Sequence, residues 1–161
     1  MELNPEEVIK KLNLIPLADE GGYYKRTWTS DINLGGVPQG TAIYFLLVNS
    51  LEGFSALHTL SRPEIYHFYL GDPMELSLFY KNGKVEKIIM GQDIFNGEVP
   101  QYTVPEGVIQ GSQLISGGRF ALLGTTMSPG FTIDDFYLNS RKEMLNTYPE
   151  HKKLIFSLTR D

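Results

Sequence analysis

The sequence predicts an all-β fold, a sandwich or barrel with a short helix near each end. Three observations carry this. From Gly21 onward, aromatic and β-branched runs recur at short intervals, separated by Gly, Pro, Asn and Asp. Lys81-Asn82-Gly83-Lys84 has the Asn-Gly signature of a tight hairpin turn. Helix-start signals stand near the two ends of the chain.

The elements follow in order. Asn4-Pro5-Glu6-Glu7 opens a helix: Asn caps it, Pro takes the first helical position, and two acids sit at the positive end of the dipole. Val8, Ile9 and Leu12 give one apolar stripe, so the helix spans residues 5–12 and packs on the body. A β core over residues 21–137 has strands at Tyr23–Thr29, Thr41–Val48, Glu64–Leu70, Glu75–Tyr80, Val85–Met90, Tyr102–Val104, Gln113–Ile115 and Phe120–Met127. Asn139 is predicted to cap a helix over residues 140–146, and Pro149 stops it. Leu154-Ile155-Phe156 predicts a final strand over residues 153–158. No linker, repeat, charge block or low-complexity stretch divides residues 1–161, which read as one domain.

Composition excludes several partners. The net charge is -5, and Lys and Arg are scattered rather than striped, so nucleic acid is not expected. No apolar run reaches the ~20 residues that cross a bilayer, and Ala42–Val48 has the length of a buried strand. The absence of Cys excludes disulfides and thiolate metal sites. The first residues are acidic where a signal peptide would be basic, so a soluble, cytoplasmic protein is expected.

The chemistry concentrates in Gly53–Gly71, which holds His58, Glu64 and His67, two of the chain's three histidines with a carboxylate between them. A tight turn at Ser61-Arg62-Pro63 would put His58 and Glu64 on paired strands, facing one side. Alternation puts Glu64, Tyr66, Phe68 and Leu70 on one face and turns His67 to the other, unless a β-bulge re-aims it. A carboxylate among aromatics is costly to bury unpaired, so Glu64 should lie in a wet pocket or pair with His58, Arg62 or Arg26. Pro105-Glu106-Gly107 forms a turn before Gln110, a neutral donor and acceptor that can read a base edge or a sugar hydroxyl. Tyr44 and Phe68 are aromatics that can stack on a sugar or planar ring. Asp134-Asp135 reads as a turn and strand start, or a cation site, and His151 as a surface residue.

Two motifs resemble those of the cupin superfamily. The first is Gly53, His58-Thr59-Leu60, Glu64 and Gly71; the second is Pro105-Glu106-Gly107-Val108-Ile109-Gln110. More narrowly the chain resembles cupin family 5, through Glu20–Tyr24, Thr41–Leu47, Phe54–His58, Glu64–Tyr69, Gly97–Gln101, Val104–Gly107 and Pro129–Phe131 with Asp135-Phe136. The likeness covers nearly the whole chain. It implies a cupin double-stranded β-helix (jelly roll), a homodimer and a pocket inside the barrel for a small-molecule ligand. Arg26 and Thr29 stand where relatives often carry Glu and Arg; if those positions line the pocket, its charge and ligand differ from theirs.

Metal-binding cupins use three His and one Glu. Here Leu60 and Gln110 occupy two of the His positions, so the resemblance favours no metal; a divalent ion would have His58, Glu64 and Gln110, with His67 if its strand is bulged. A His-carboxylate pair fits proton abstraction beside a carbonyl. The resemblance to sugar epimerases of similar fold implies His58 as base, Glu64 as its orienter and Tyr66 or Tyr44 as the opposing acid. Three functions follow: a metal-independent isomerase or epimerase on a sugar or nucleotide-like substrate, a binding module that performs no reaction, or a degenerate metal enzyme.

Overall fold

A computed structural model describes residues 4–51 and 53–160. In chain order it contains α1 (Pro5–Leu12), β1 (Ile15–Pro16), β2 (Tyr23–Thr29), β3 (Thr41–Val48), β4 (Phe54–Leu60), β5 (Glu64–Gly71), β6 (Met74–Phe79), β7 (Val85–Met90), β8 (Gln101–Val104), β9 (Ile109–Leu114), β10 (Phe120–Met127), β11 (Phe136–Leu138), α2 (Arg141–Thr147) and α3 (Lys152–Ser157). The strands form two sheets, ordered β1-β2-β3-β10-β5-β8 and β11-β4-β9-β6-β7, with antiparallel pairing in every ladder between named strands.

The sheets face each other as a jelly roll. Their inner faces meet in a core built from Phe45, Leu47 and Leu123 on one side and Met74, Leu76 and Leu78 on the other. Period-2 alternation explains the division, because the alternate residues of β3 and β10 point out. Leu46, Phe120 and Leu122 on that outer face are covered by Val8, Ile9 and Leu12 of α1. As the sequence predicts, α1 begins at the Asn4 cap, whose Oδ1 accepts from Glu6 N at 3.0 Å. Asn13 ends it in the left-handed conformation.

The outer face of the five-stranded sheet is covered differently. There Leu57 and Phe79 lie under Met144 and Tyr148, at α2 and just after it, and under Ile155 and Leu158 at α3. The predicted final strand over residues 153–158 is therefore a helix. Ile155 and Leu158 are three apart, a helical spacing that puts both against the sheet while Lys152 and Lys153 stay exposed. The α2 cap also moves by one residue: Ser140, not Asn139, accepts from Glu143 N, and the Glu143 carboxylate returns the bond to Ser140 N. A Glu three residues after Ser140 completes this capping box, whereas Asn139 accepts from the Thr59 hydroxyl.

Other predicted strands need adjustment at their ends. The strand predicted at Gln113–Ile115 begins earlier, at Ile109, because its whole length pairs with β6. Strands β1, β4 and β11 add to those predicted. The Asn82-Gly83 hairpin is present between β6 and β7, with Gly83 at φ 87° and Asn82 Oδ1 accepting from Lys84 N. No helix among the described residues is long and apolar enough to cross a membrane.

One topological correction matters for function. β4 and β5 are not a hairpin pair. They belong to different sheets, joined by the corner at Ser61-Arg62-Pro63. His58 and Glu64 thus approach each other across the interior rather than along a ladder.

Candidate functional site

A cavity of about 240 Å³ opens between the sheets, with His58 and Leu60 from β4 and Glu64 from β5 on its wall. Thr41 and Ile43 of β3, Tyr24 and Arg26 of β2, and Thr125 and Met127 of β10 continue it. The loop at Leu17–Glu20 and the side chains of Phe131, Ile133 and Phe136 complete it. A larger cleft of about 440 Å³ is walled by Asn49, Ser50, Gln113, Ser116 and their neighbours. Among the described residues no titratable side chain stands on its wall, whereas the smaller cavity brings His58, Glu64 and Glu20 together and is the candidate site.

His58 is 2% exposed. Its Nδ1 lies 2.7 Å from the Ala56 carbonyl oxygen, which can only accept, so Nδ1 carries the proton. The ring stacks on Phe136, with centroids 5.2 Å apart. A fixed ring with Nδ1–H committed to the backbone leaves Nε2 as the nitrogen available to a ligand. The predicted orienter is corrected: Ala56 and Phe136 hold the ring, and no hydrogen bond joins it to Glu64 among the described residues.

Glu64 is 7% exposed, and Gln110 Nε2 donates to its Oε2 at 3.0 Å. Burial pushes its carboxyl above the ordinary glutamate value. The His58 charge, Thr125 and Gln110 oppose that rise, while Glu20 adds to it. Glu20 is placed by Gly21 and Gly22, both at positive φ, where a Cβ on Gly21 would stand 2.2 Å from the Phe54 carbonyl oxygen. The Ser55 hydroxyl donates to Glu20 Oε1 at 2.7 Å. Arg160 donates to the backbone carbonyls of Asp19 and Glu20, holding this loop against the barrel.

The remaining predicted residues sit elsewhere. Gln110 is opposite His58 in the β4–β9 register and is 1% exposed, but it lies off the cavity wall and reaches the cavity through Glu64. Its Oε1 is buried with no partner among the described residues. Tyr66 and Phe68 point inward as parity requires but belong to the hydrophobic core, one layer away from the wall. Burial, then the Glu64 and Glu20 charges, push the Tyr66 hydroxyl well above the ordinary tyrosine value. Parity also holds for His67, which no bulge re-aims: its Nε2 lies 3.2 Å from Thr126 Oγ1 on the outer face. Tyr44 is on that outer face too, edge-on to Tyr69. Arg62 pairs with Asp135 at 2.6 Å rather than with Glu64, and Asp135 serves this corner and not a cation. His151 packs edge-on against Phe79.

Glu20, Thr125, Phe131 and Phe136 were not singled out by spacing. The Gly-Gly after Glu20 was the readable signal, since a sharp loop beside a strand start is where a backbone can turn an acid inward.

The metal question can be put to these residues. Leu60 offers carbon to the cavity, and Gln110 turns its N–H toward Glu64. Among the described residues no group of three His, Cys, Asp or Glu side chains is placed to hold a metal ion. The donor set does not fit a divalent metal here, where three or four N, O or S ligands are needed.

Residues 6–139 match the family described as "Cupin superfamily (DUF985)". The chain belongs to this cupin family. Protein SO0799 from Shewanella oneidensis, of known structure, is 34% identical, with a TM-score of 0.93 over 99% of each chain. A hypothetical protein from Leishmania major is 30% identical, with a TM-score of 0.89 over 99% of this chain and 100% of its own. Uncharacterized protein YML079W of Saccharomyces cerevisiae is 31% identical over 134 residues, 72% of this chain and 66% of that protein. This cupin therefore spans just under two thirds of the yeast relative's length.

Proposed function

We propose that this cupin is a small-molecule isomerase or epimerase that works by proton transfer without a metal, on a sugar or a nucleotide-like substrate. The observation that carries the reading is the pairing of two proton-handling groups with different commitments in one cavity. His58 has Nδ1–H tied to Ala56, which leaves Nε2 as a base. Glu64 is pushed up by burial, so it holds a proton more firmly than an exposed glutamate and can return one. The two stand on opposite sheets, which suits removal of a proton on one side of a bound carbon and delivery on the other. Thr125 and Glu20 line the same cavity and hydrogen-bond substrate hydroxyls. Tyr66 supports the acidic side through its proximity to Glu64.

A thermal-shift screen with sugar nucleotides, nucleotides and small organic acids finds the ligand; at ~100 times its dissociation constant a ligand adds about 2.7 kcal/mol, well within detection. Incubating the hit in D₂O then tests the reaction. Deuterium enters a carbon-bound position with the native protein and not with His58→Gln. A hit recovered without deuterium after long incubation replaces this reading with the binding module.

We also propose a homodimer formed through the outer face of the six-stranded sheet. Trp28, 51% exposed, shares that face with Tyr44 and Tyr69. Light scattering gives twice the chain mass for the native protein and the chain mass for Trp28→Lys; a native mass of one chain rejects the dimer.

A further inference from the structure

We infer that the cavity receives one uncharged, hydroxyl-rich ring, whose anionic substituent, a phosphate or a carboxylate, rests against Arg26 at the mouth. This rests on the cavity being a ligand site, as proposed above, but not on any reaction there.

Size comes first. Liquid water occupies about 30 Å³ per molecule, so this cavity has room for about eight waters. Ligand pockets commonly run to roughly 300–1,000 Å³. One six-membered ring with its hydroxyls is therefore the limit, and anything attached to it must project outward.

Polarity comes second. The interior offers acceptors: the carboxylates of Glu20 and Glu64 and the free Nε2 of His58. Burial pushes the Glu64 carboxyl up, and the Glu20 charge adds to that rise. An anionic group placed among them would be driven out, whereas hydroxyl donors would satisfy them. Phe131, Phe136 and Ile43 offer the apolar surface that the C–H face of a sugar ring covers.

Arg26 comes third. It is exposed on the cavity wall, its guanidinium 5.7 Å from the Phe131 ring centroid. Its one side-chain hydrogen bond is a long one to Thr29 Oγ1, and it makes no ion pair among the described residues. Asp19 is the other exposed charge on the wall, and no ion pair joins the two. Arg62, by contrast, has Asp135 as its counter-ion. A guanidinium propped on an aromatic ring, without a carboxylate, presents its fork to a planar carboxylate or a phosphate. Buried carboxyl groups inside and an exposed, unpaired guanidinium on the wall thus give the ligand a direction.

Calorimetric titration of the native chain with matched sets tests this: glucose, glucose 1-phosphate and glucuronic acid, and the same three from galactose and mannose. In at least one set the phosphate or the uronic acid binds about tenfold more tightly than its neutral sugar, the worth of a charge-assisted contact. Which of the two gains identifies the anion. Arg26→Ala removes the gain, so that within each set the anionic and neutral sugars bind the variant equally; circular dichroism checks that the variant is folded. Equal affinity within every set, a gain that survives Arg26→Ala, inorganic phosphate binding as tightly as the sugar phosphate, or no binding by any set overturns the inference. Arg26-dependent binding of a thermal-shift hit that carries a carbonyl, with no deuterium uptake beside that carbonyl in D₂O, overturns the proton-transfer reading alone.

Discussion

Glu64 and Asp135 are both buried carboxylates, 7% and 5% exposed, yet they are opposites. Asp135 is saturated. It accepts from the Ser61 hydroxyl, the Thr132 N–H and hydroxyl, and Arg62. Burial acts to raise its pKa, but the hydrogen bonds from Ser61 and Thr132 and the Arg62 charge hold it below the ordinary aspartate value. Glu64 has the Gln110 amide and the Thr125 and Tyr66 hydroxyls against its burial, but no Arg or Lys among the described residues, and its pKa is raised. Burial alone therefore does not mark a candidate functional acid. A buried acid without a guanidinium or ammonium partner beside an open cavity is the better candidate.

Three substitutions probe this contrast. The largest effect belongs to Asp135→Asn, which leaves Arg62 without its counter-ion and costs about 3 kcal/mol in urea unfolding near pH ~7. Because the folded pKa is lowered, the native Asp135 contributes stability above the ordinary aspartate pKa and loses it as pH falls through the folded value. The cost of the substitution should shrink accordingly at low pH, and a cost that is constant across pH would show that Arg62 is not the reason.

Glu64→Gln should run the other way, raising stability by about 1 kcal/mol at high pH because it removes a buried charge that no Arg or Lys balances. With a raised folded pKa, native Glu64 is favourable below its unfolded value and becomes a burden as pH rises through the folded one. The gain should vanish at low pH. A loss of stability at high pH would make Glu64 a structural acid like Asp135.

The smallest effect is expected from Gln110→Leu, within about 1 kcal/mol of native, because it removes a donor to Glu64 and an unpartnered buried oxygen together. It should still move the Glu64 titration upward, read by NMR of the carboxyl carbon; a downward move would deny the Gln110 contact its role.

Sequence reasoning reached the fold by local rules. Alternation along β5 puts Glu64, Tyr66 and Phe68 inside and His67 outside, but a bulge after Phe68 turns Leu70, expected inside, to the outer face with Leu122; the Asn4 cap begins α1. These signals are contained in a few adjacent residues. What the chain does at long range was less legible. The spacing of His58 and Glu64 is equally compatible with a hairpin and with a corner between sheets, and only the pairing partners of β4 and β5 separate them. Glu20 and Thr125 reach the cavity from distant parts of the chain, so no short motif contains them. The last helix was misread because Leu154-Ile155-Phe156 is as apolar as a strand, and the decisive contact of Ile155 and Leu158 with Leu57 is tertiary.

The corner between β4 and β5 has a mechanical consequence. Two side chains on one sheet are held at a spacing set by backbone hydrogen bonds. His58 and Glu64 are instead mounted on separate plates, and the filling between those plates sets their gap. Phe45 and Leu76 do not line the cavity, yet their volumes act as shims for the distance between His58 and Glu64. The spacing of these two side chains can be retuned from the core without altering either of them.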